Sequence, residues 1–335
     1  MRIQSARDLK LEIAREVFAP IAHDLLERAL KPRLGPILAA LPLHRLALGI
    51  GRGQAPGEFT IAVRLQTESP ILQRMVELVR ARARGEVDVR FVGAVHAQDD
   101  PPETESLRKS CRPLVIGCSL AHVASTAGTL GLIARHRKSG QTVLLSNAHV
   151  LAQAGLAKAG DAITQPGRLD GGGAGDHVAA LLDFAPLKMS DTASNQIDAA
   201  VAVVDGQVAL TPDEVPGIGT FTVTAADDIL PGTKVMKLGR TTGLTHGEIL
   251  ATELDDIVVD YGIAGTAAFD DQIEITGMPD KPFSDAGDSG SLVLDENKRA
   301  VGLIFCGNPY ANDGRGVSYA NHLPRVMAGL DLIPL

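Results

Sequence analysis

The stretch that decides the fold is residues 283–293, which reads FSDAGDSGSLV. Ser289 stands in it between Gly-Asp and Gly-Ser, and an apolar strand follows at once. Gly287 and Gly290 lack a Cβ, so the backbone can bend tightly around the serine and point successive N–H groups into one small space. An oxyanion would bind in that space. The stretch therefore predicts a nucleophilic serine on a tight turn.

A serine hydroxyl is unreactive at neutral pH unless a base accepts its proton and a third group holds that base. His149 follows the apolar segment 142–145, and Asp198 opens a further strand. An imidazole suits the base because its pKa lies near neutrality. We therefore predict that Ser289 attacks, that His149 moves the proton, and that Asp198 fixes the imidazole tautomer.

Two choices in this assignment depend on local pattern. Asp191 and Asp205 are nearby alternatives to Asp198, which is preferred for the small residues and apolar alternation that follow it. The oxyanion hole is predicted at the turn of residues 287–289, with the N–H groups of Gly287 and Ser289 on either side of Asp288 as its donors.

Four motifs, in chain order, resemble signatures of the trypsin- and chymotrypsin-like serine proteases. They are Ala-His at 148–149, Asp-Ala-Ala at 198–200, Gly-Arg-Thr-Thr-Gly at 239–243 and Gly-Asp-Ser-Gly at 287–290. The third resembles the Thr-Thr-Gly hairpin of bacterial members such as the streptogrisins. The whole string from residues 126–131 through 145–149 to 237–240 most resembles the branch that contains the plant narrow-leaf protease and its bacterial relatives.

The resemblance covers roughly the last two-thirds of the chain and implies a fold. The expected class is an all-β double β-barrel of chymotrypsin-like type, with the site in the cleft between the barrels. The protease domain is expected over 106–335, with the first barrel at about 111–210 and the second at about 220–335.

An N-terminal α+β domain is predicted over residues 1–105, because helical and strand periodicities alternate there. The pattern gives an amphipathic helix capped by Asp8 and interrupted at Pro20, and a second helix that starts at Ser69. Residues 98–106 have the composition of a linker. We expect this domain to regulate the protease domain, to bind a regulatory partner or to form a homo-oligomer.

The resemblance also implies a pocket for the side chain that precedes the cleaved bond. Its floor is expected at Phe283 and Ser284. Phe283 stands where a carboxylate would select Arg or Lys, so an apolar or small residue is expected, although Asp285 could reach the pocket and reverse this. The expected walls are Phe305, Cys306, Gly307 and the segment from Gly316 to Ser318.

Asp288 requires a positive partner of its own. In proteases of the trypsin type this aspartate pairs with an amino terminus freed by cleavage, and no such activation sequence occurs between Cys111 and Leu130. Arg240 is one candidate partner.

Composition excludes several function classes. Hydrophobic residues make up 45% and charged residues 21%, as in an ordinary globular protein, and no apolar run reaches membrane-spanning length, so no membrane partner is expected. The net charge of −8 falls on the C-terminal two-thirds, which disfavours nucleic acid as a partner. No Cys-x-x-Cys or His-Glu-x-x-His spacing occurs, so neither a metal nor another cofactor is expected.

The three cysteines cannot form a disulfide framework, and the charged residues 1–18 lack a secretory signal pattern. Both features favour a cytoplasmic location. The sequence thus predicts an intracellular serine endopeptidase that acts on proteins or peptides. A protease-fold binding scaffold with little turnover, and an esterase with the same triad, remain alternatives.

Overall fold

The computed structural model describes residues 1–21, 45–96, 105–223, 229–279, 281–311 and 314–335. Most of the predicted linker at 98–106 lies outside these ranges, as do the later positions of the first predicted helix, Leu25 and Leu30. The helices are α1 Ile3–Ile13, α2 Pro70–Arg82, α3 Glu105–Arg108, α4 Ala148–Leu151 and α5 Leu323–Gly329. The strands are β1 Leu46–Arg52, β2 Phe59–Leu65, β3 Val87–Phe91, β4 Val95–His96, β5 Leu114–Val115, β6 Ser119–His122, β7 Gly128–Thr129, β8 Leu132–His136, β9 Thr142–Ser146, β10 Ala162–Thr164, β11 His177–Phe184, β12 Ala200–Val204, β13 Leu210–Thr211, β14 Glu214–Val215, β15 Gly219–Thr220, β16 Thr222–Val223, β17 Lys234–Gly239, β18 Gly243–Asp255, β19 Ile257–Asp260, β20 Thr266–Phe269, β21 Gln272–Gly277, β22 Leu292–Asp295, β23 Arg299–Asn308, β24 Val317–His322 and β25 Leu332–Pro334.

Six strands of the C-terminal half close into a barrel. β17 pairs with β18, β18 with β21, β21 with β24, β24 with β23, β23 with β22, and β22 again with β17, all antiparallel. Its interior is filled by branched side chains such as Ile249, Ile275 and Val293, which alternate with outward residues at the period of two that a strand imposes. Because the barrel is closed, these six strands leave no free edge among themselves.

The preceding half forms a curled eight-stranded sheet in the order β25-β8-β9-β12-β11-β10-β6-β7. Leu120, Leu144 and Ile163 belong to its core. The chain end returns to this sheet, because β25 pairs with β8 from Leu332 to Pro334. The predicted fold class, a chymotrypsin-like double barrel after a small N-terminal α+β region, is confirmed, with the first barrel curled rather than closed.

The N-terminal region shares its sheet with the closed barrel. β1 pairs antiparallel with both β2 and β18, and β3 adds parallel to β2. On the face of these strands, α1 and α2 pack over Ile61 and Val63. Arg64 on β2 and Glu274 on β21 form a fully buried ion pair with the Nε atom 2.7 Å from a carboxylate oxygen. The domain boundary near residue 105 stays a prediction, since the sheet runs across it.

The helix starts were predicted with mixed success. α2 begins as expected, with Ser69 Oγ accepting the N–H of Leu72 at 3.2 Å. The prediction that Asp8 caps the first helix is wrong, because α1 begins at Ile3 and the Asp8 carboxylate accepts the side-chain amide of Gln4 one turn earlier. A π turn over Ala14–Phe18 then precedes Pro20. No helix in the described ranges is long and apolar enough to cross a bilayer.

Candidate active site

The register of two neighbouring strands brings His149 and Asp198 together. β9 and β12 pair with Ser146 opposite Ala200. His149 lies just after β9, on the single turn α4, and Asp198 lies just before β12. Their side chains therefore meet at the same end of the sheet, with His149 Nδ1 2.5 Å from Asp198 Oδ2.

Asp198 is completely buried and its carboxylate is bound from three sides. Oδ1 accepts the backbone N–H groups of Ala148 at 2.7 Å and His149 at 3.2 Å. Oδ2 accepts the hydroxyl of Tyr261 at 2.8 Å as well as facing the imidazole. The backbone N–H of Asp198 donates to Asn321 Oδ1 at 2.9 Å. All these donors are electrically neutral when the imidazole is neutral, so the negative charge of Asp198 is solvated without being cancelled.

Ser289 lies on the turn between a loop and β22, on the closed barrel. Gly287 and Gly290 both adopt positive φ, of 88° and 95°, as the predicted turn requires. Ser289 is 2% exposed, and its Oγ donates to the carbonyl of Phe305 at 3.4 Å. No hydrogen bond joins Ser289 Oγ to His149 in the described part of the chain.

The backbone of this turn leaves two donors available. The N–H of Asp288 donates to Asp285 at 2.9 Å and that of Gly290 to Ile304 at 2.8 Å. Within the described residues, the N–H groups of Gly287 and Ser289 have no hydrogen-bond acceptor. Of the predicted oxyanion-hole positions, these two therefore keep a free donor, whereas the Asp288 N–H is used inside the turn.

The partner of Asp288 is Lys237, and the candidate Arg240 is wrong. The Lys237 ammonium lies 2.9 Å from Asp288 Oδ2, and both side chains are fully buried. The N–H groups of Thr241 and Thr242 donate to Oδ1 at 2.9 and 3.2 Å, and the Thr242 hydroxyl donates to Oδ2 at 2.6 Å. Burial lowers the pKa of Lys237, and the carboxylate of Asp288 opposes that shift.

Arg240 instead binds the other half of the molecule. Its guanidinium pairs with Asp170, with Nε 2.9 Å from Oδ2, and both side chains are buried. Asp170 belongs to the glycine-rich segment 165–176. The buried ion pair fastens this segment to the hairpin between β17 and β18.

The residues predicted to form a substrate pocket are dispersed. Phe283 points into the closed-barrel core, where Gly247 makes room because a Cβ there would lie 2.7 Å from the Phe283 ring. It therefore does not supply the predicted floor. Ser284 is buried with its hydroxyl 2.7 Å from that of Ser318. Asp285 keeps its side chain at the turn, where Oδ1 accepts the N–H of Ala286.

The predicted walls differ in their surroundings. Phe305 and Cys306 are fully buried in one apolar cluster with Val95 of β4. Gly307 is paired with His96 of β4 through the backbone. Gly316 adopts a φ of 69° and lies against Pro309, so it shapes the turn before β24.

An open cavity of 620 Å³ lies beside His149. Tyr261, His96 and the exposed apolar side chains of Leu156 and Ile263 line it. No group of His, Cys, Asp or Glu side chains suited to a metal ion occurs within the described ranges.

Sequence reasoning missed three residues around the site. Tyr261 contacts Asp198 from the hairpin of β19 and β20, and β20 was not predicted. Lys237 was passed over because it sits in a strand among apolar residues. His96 reaches the cavity only because β4 pairs with β19 and β23. The rarity of tyrosine, with three in the chain, was the one signal available for Tyr261.

Comparison with known proteins gives a family match over part of the chain. Residues 196–332 match the model of the Nal1 C-terminal domain, and no curated protein matches. Similar solved structures include Thermobifida fusca protease A, at 18% identity over 65% of this chain and 96% of the other, with a TM-score of 0.45. A Cellulomonas bogoriensis chymotrypsin is 16% identical over 66% and 97%, with a TM-score of 0.45. A glutamic-acid-specific serine protease is 16% identical over 66% and 100%, with a TM-score of 0.46.

Proposed function

We propose that the protein is a serine endopeptidase that hydrolyses peptide bonds of intracellular proteins through Ser289, His149 and Asp198. The observation that carries the proposal is the buried Asp198 carboxylate held 2.5 Å from His149 Nδ1. A hydrogen bond at Nδ1 leaves Nε2 as the nitrogen that can take a proton from Ser289. Three free cysteines support an intracellular setting.

The reaction has two halves. Ser289 Oγ turns away from the Phe305 carbonyl, gives its proton to His149 Nε2 and bonds to the substrate carbonyl carbon. The carbonyl oxygen becomes an oxyanion, which the unpaired N–H groups of Gly287 and Ser289 stabilise by roughly 3 kcal/mol for each donor. His149 returns the proton to the departing amine, and water then cleaves the acyl-enzyme by the same route.

We also propose that the substrate residue before the cleaved bond is apolar or small. The cavity beside His149 supports this preference, because the apolar side chains of Leu156 and Ile263 that line it are 68% and 104% exposed. Exposed apolar side chains at the rim of a cleft favour an apolar ligand. Phe283 gives no support, because it faces the barrel core.

Treatment with a fluorophosphonate probe tests the proposal, with Ser289→Ala as the matched variant. We expect covalent labelling of the wild-type protein and none of the variant. Absence of labelling in both, with the fold intact by circular dichroism, contradicts an enzyme and favours the binding scaffold. Labelling with cleavage of ester substrates but of no peptide library favours the esterase.

We further propose that the N-terminal region restrains the site. Extended peptides bind proteases and other domains by adding a strand to a free sheet edge. The edge of β23 beyond Phe305 lies next to Ser289, and β4 occupies it by pairing His96 with Gly307. The side-chain amide of Asn308 strengthens this pairing by donating to the carbonyl of Val92 at 3.2 Å.

Substitution tests the restraint better than deletion, because removing residues 1–105 would leave Glu274 buried without Arg64. We expect Asn308→Ala to loosen β4 and raise the labelling rate several-fold. Asn297→Ala, on an exposed turn, is the control. Equal rates in the wild type and both variants would contradict the restraint and leave the endopeptidase proposal untouched.

A further inference from the structure

The β19–β20 hairpin belongs to the sheet of the closed barrel but reaches the opposite half of the site. Thr266 Oγ1 binds Asp191, and the N–H of Asn195 donates to the carbonyl of Ala268 at 3.1 Å. Asn195 also donates its side-chain amide to the same carbonyl at 2.9 Å. The segment that leads into Asp198 is therefore fastened to this hairpin at several points.

Tyr261 stands at the tip of the hairpin, where it touches both members of the buried pair. Its hydroxyl donates to Asp198 Oδ2 at 2.8 Å, the same oxygen that faces His149 Nδ1. Its ring centroid lies 5.6 Å from that of His149. Burial, reinforced by the charge of Asp198, raises the pKa of the Tyr261 phenol, so the hydroxyl keeps its proton and remains a donor.

The rings behind Tyr261 continue to the other half of the site. Tyr261 packs on Phe269 with centroids 6.3 Å apart, and Phe269 packs on Phe305 at 4.8 Å. A continuous row of packed rings thus connects His149 with β23, whose Phe305 carbonyl accepts the Ser289 hydroxyl. Packed aromatic side chains have little freedom to move.

We propose that Tyr261 is a positioning residue for the His149–Asp198 pair. This inference rests on the proposed function of Ser289. Its hydroxyl fixes the direction of the Asp198 carboxylate and draws electron density from the oxygen that faces the imidazole. The carboxylate stabilises the imidazolium less strongly in consequence. The basicity of His149 is thereby tuned from the opposite half of the molecule.

Tyr261→Phe tests the proposal because it keeps the ring and removes only the hydroxyl. We expect the rate of fluorophosphonate labelling to fall about tenfold, because the Asp198 carboxylate loses the hydrogen bond that fixes its direction, and one hydrogen bond to a charged group is worth about that factor. We also expect the midpoint of the pH–rate profile to rise, since Asp198 then holds the imidazolium more strongly. A purely structural role would lower the rate without moving that midpoint.

Tyr319→Phe is the matched control, since Tyr319 is fully buried and its hydroxyl has no partner among the described residues. A pH–rate profile of Tyr261→Phe that coincides with that of Tyr319→Phe overturns the inference. Nitrogen-15 NMR of His149 gives a second readout that needs no activity. An upward shift of the imidazole titration in Tyr261→Phe supports the inference even if the wild type is not labelled, and an unchanged titration overturns it.

Discussion

Two buried aspartates, one in each half of the site, are stabilised in opposite ways. Asp288 on the closed barrel faces the ammonium group of Lys237 at 2.9 Å. Asp198 beside the curled sheet faces neutral donors and one titratable ring, His149. Both carboxylates are fully buried, so the cost of removing them from water is similar. The difference lies in what cancels their charge.

This difference assigns a separate task to each aspartate. A carboxylate paired with a lysine is already neutralised, so it fixes the turn of Gly287 and Ser289 and does nothing when a proton moves. A carboxylate solvated by neutral groups keeps its charge until a neighbour becomes positive. Asp198 is therefore suited to stabilise the imidazolium that would form only during the proposed reaction.

The largest effect is expected for Asp198→Asn. An amide accepts the same backbone N–H groups but carries no charge to stabilise the imidazolium, and it favours the wrong tautomer. We expect the labelling rate at Ser289 to fall by about 10⁴-fold, as for other serine triads. Asp205→Asn, at an exposed position considered as an alternative from the sequence, is the control and should label at the wild-type rate. Similar labelling rates in Asp198→Asn and Asp205→Asn would show that the charge of Asp198 does not assist the labelling of Ser289.

Lys237→Met should act on stability first. The substitution leaves Asp288 charged and buried without a cation, which costs about 3–5 kcal/mol of unfolding free energy. Chemical denaturation measures this loss. Adding Asp288→Asn to the same chain should recover part of it, because the uncompensated charge is then removed. No recovery in the double variant would mean that the lysine stabilises the turn by some means other than its charge.

A third aspartate gives the smallest effect. Burial and the charges of Asp270 and Asp255 raise the pKa of Asp256 from 3.8 to about 6, while the charge of Lys10 opposes them. Stability is therefore lost as the pH rises from 3.8 through 6 and stays lower above that window. We expect Asp256→Asn to add about 1–2 kcal/mol at pH 7.5, with the gain shrinking toward pH 4.

Thermal unfolding of the wild type and Asp256→Asn at several pH values measures this gain. Asn tolerates the positive φ of 65° at this position, so the backbone is not disturbed. A gain that does not depend on pH would show that charge is not its cause.

The comparison also explains which parts of the site the sequence could predict. His149, Asp198 and Ser289 each lie in a short motif whose neighbours carry most of the signal, and the pairing of β9 with β12 brings the first two together. Lys237 could not be predicted in the same way. It faces Asp288 because β17 and β22 pair with Lys237 opposite Val293, and that register is a tertiary property. Arg240, three residues on, points to the other half of the molecule.

The missed features of the fold share a physical cause. Tyr261 reaches Asp198 from a hairpin whose second strand, β20, is four residues long and gives little periodic signal. Phe283 was placed in a pocket by its offset from the serine, whereas the absence of a side chain at Gly247 opens space for it in the barrel core. Local pattern therefore predicted the motifs, and the family resemblance of those motifs implied the fold class, while side-chain direction depended on neighbours distant in sequence.

In the proposed reaction Ser289 is the nucleophile and His149 activates it. Mapping the fluorophosphonate adduct by peptide mass spectrometry, in the wild type and in His149→Ala, tests both roles. We expect a single adduct on Ser289 in the wild type and almost none in the variant at the same protein concentration and time. An adduct on Ser284 or Ser291, or equal labelling of Ser289 without His149, would contradict the claim.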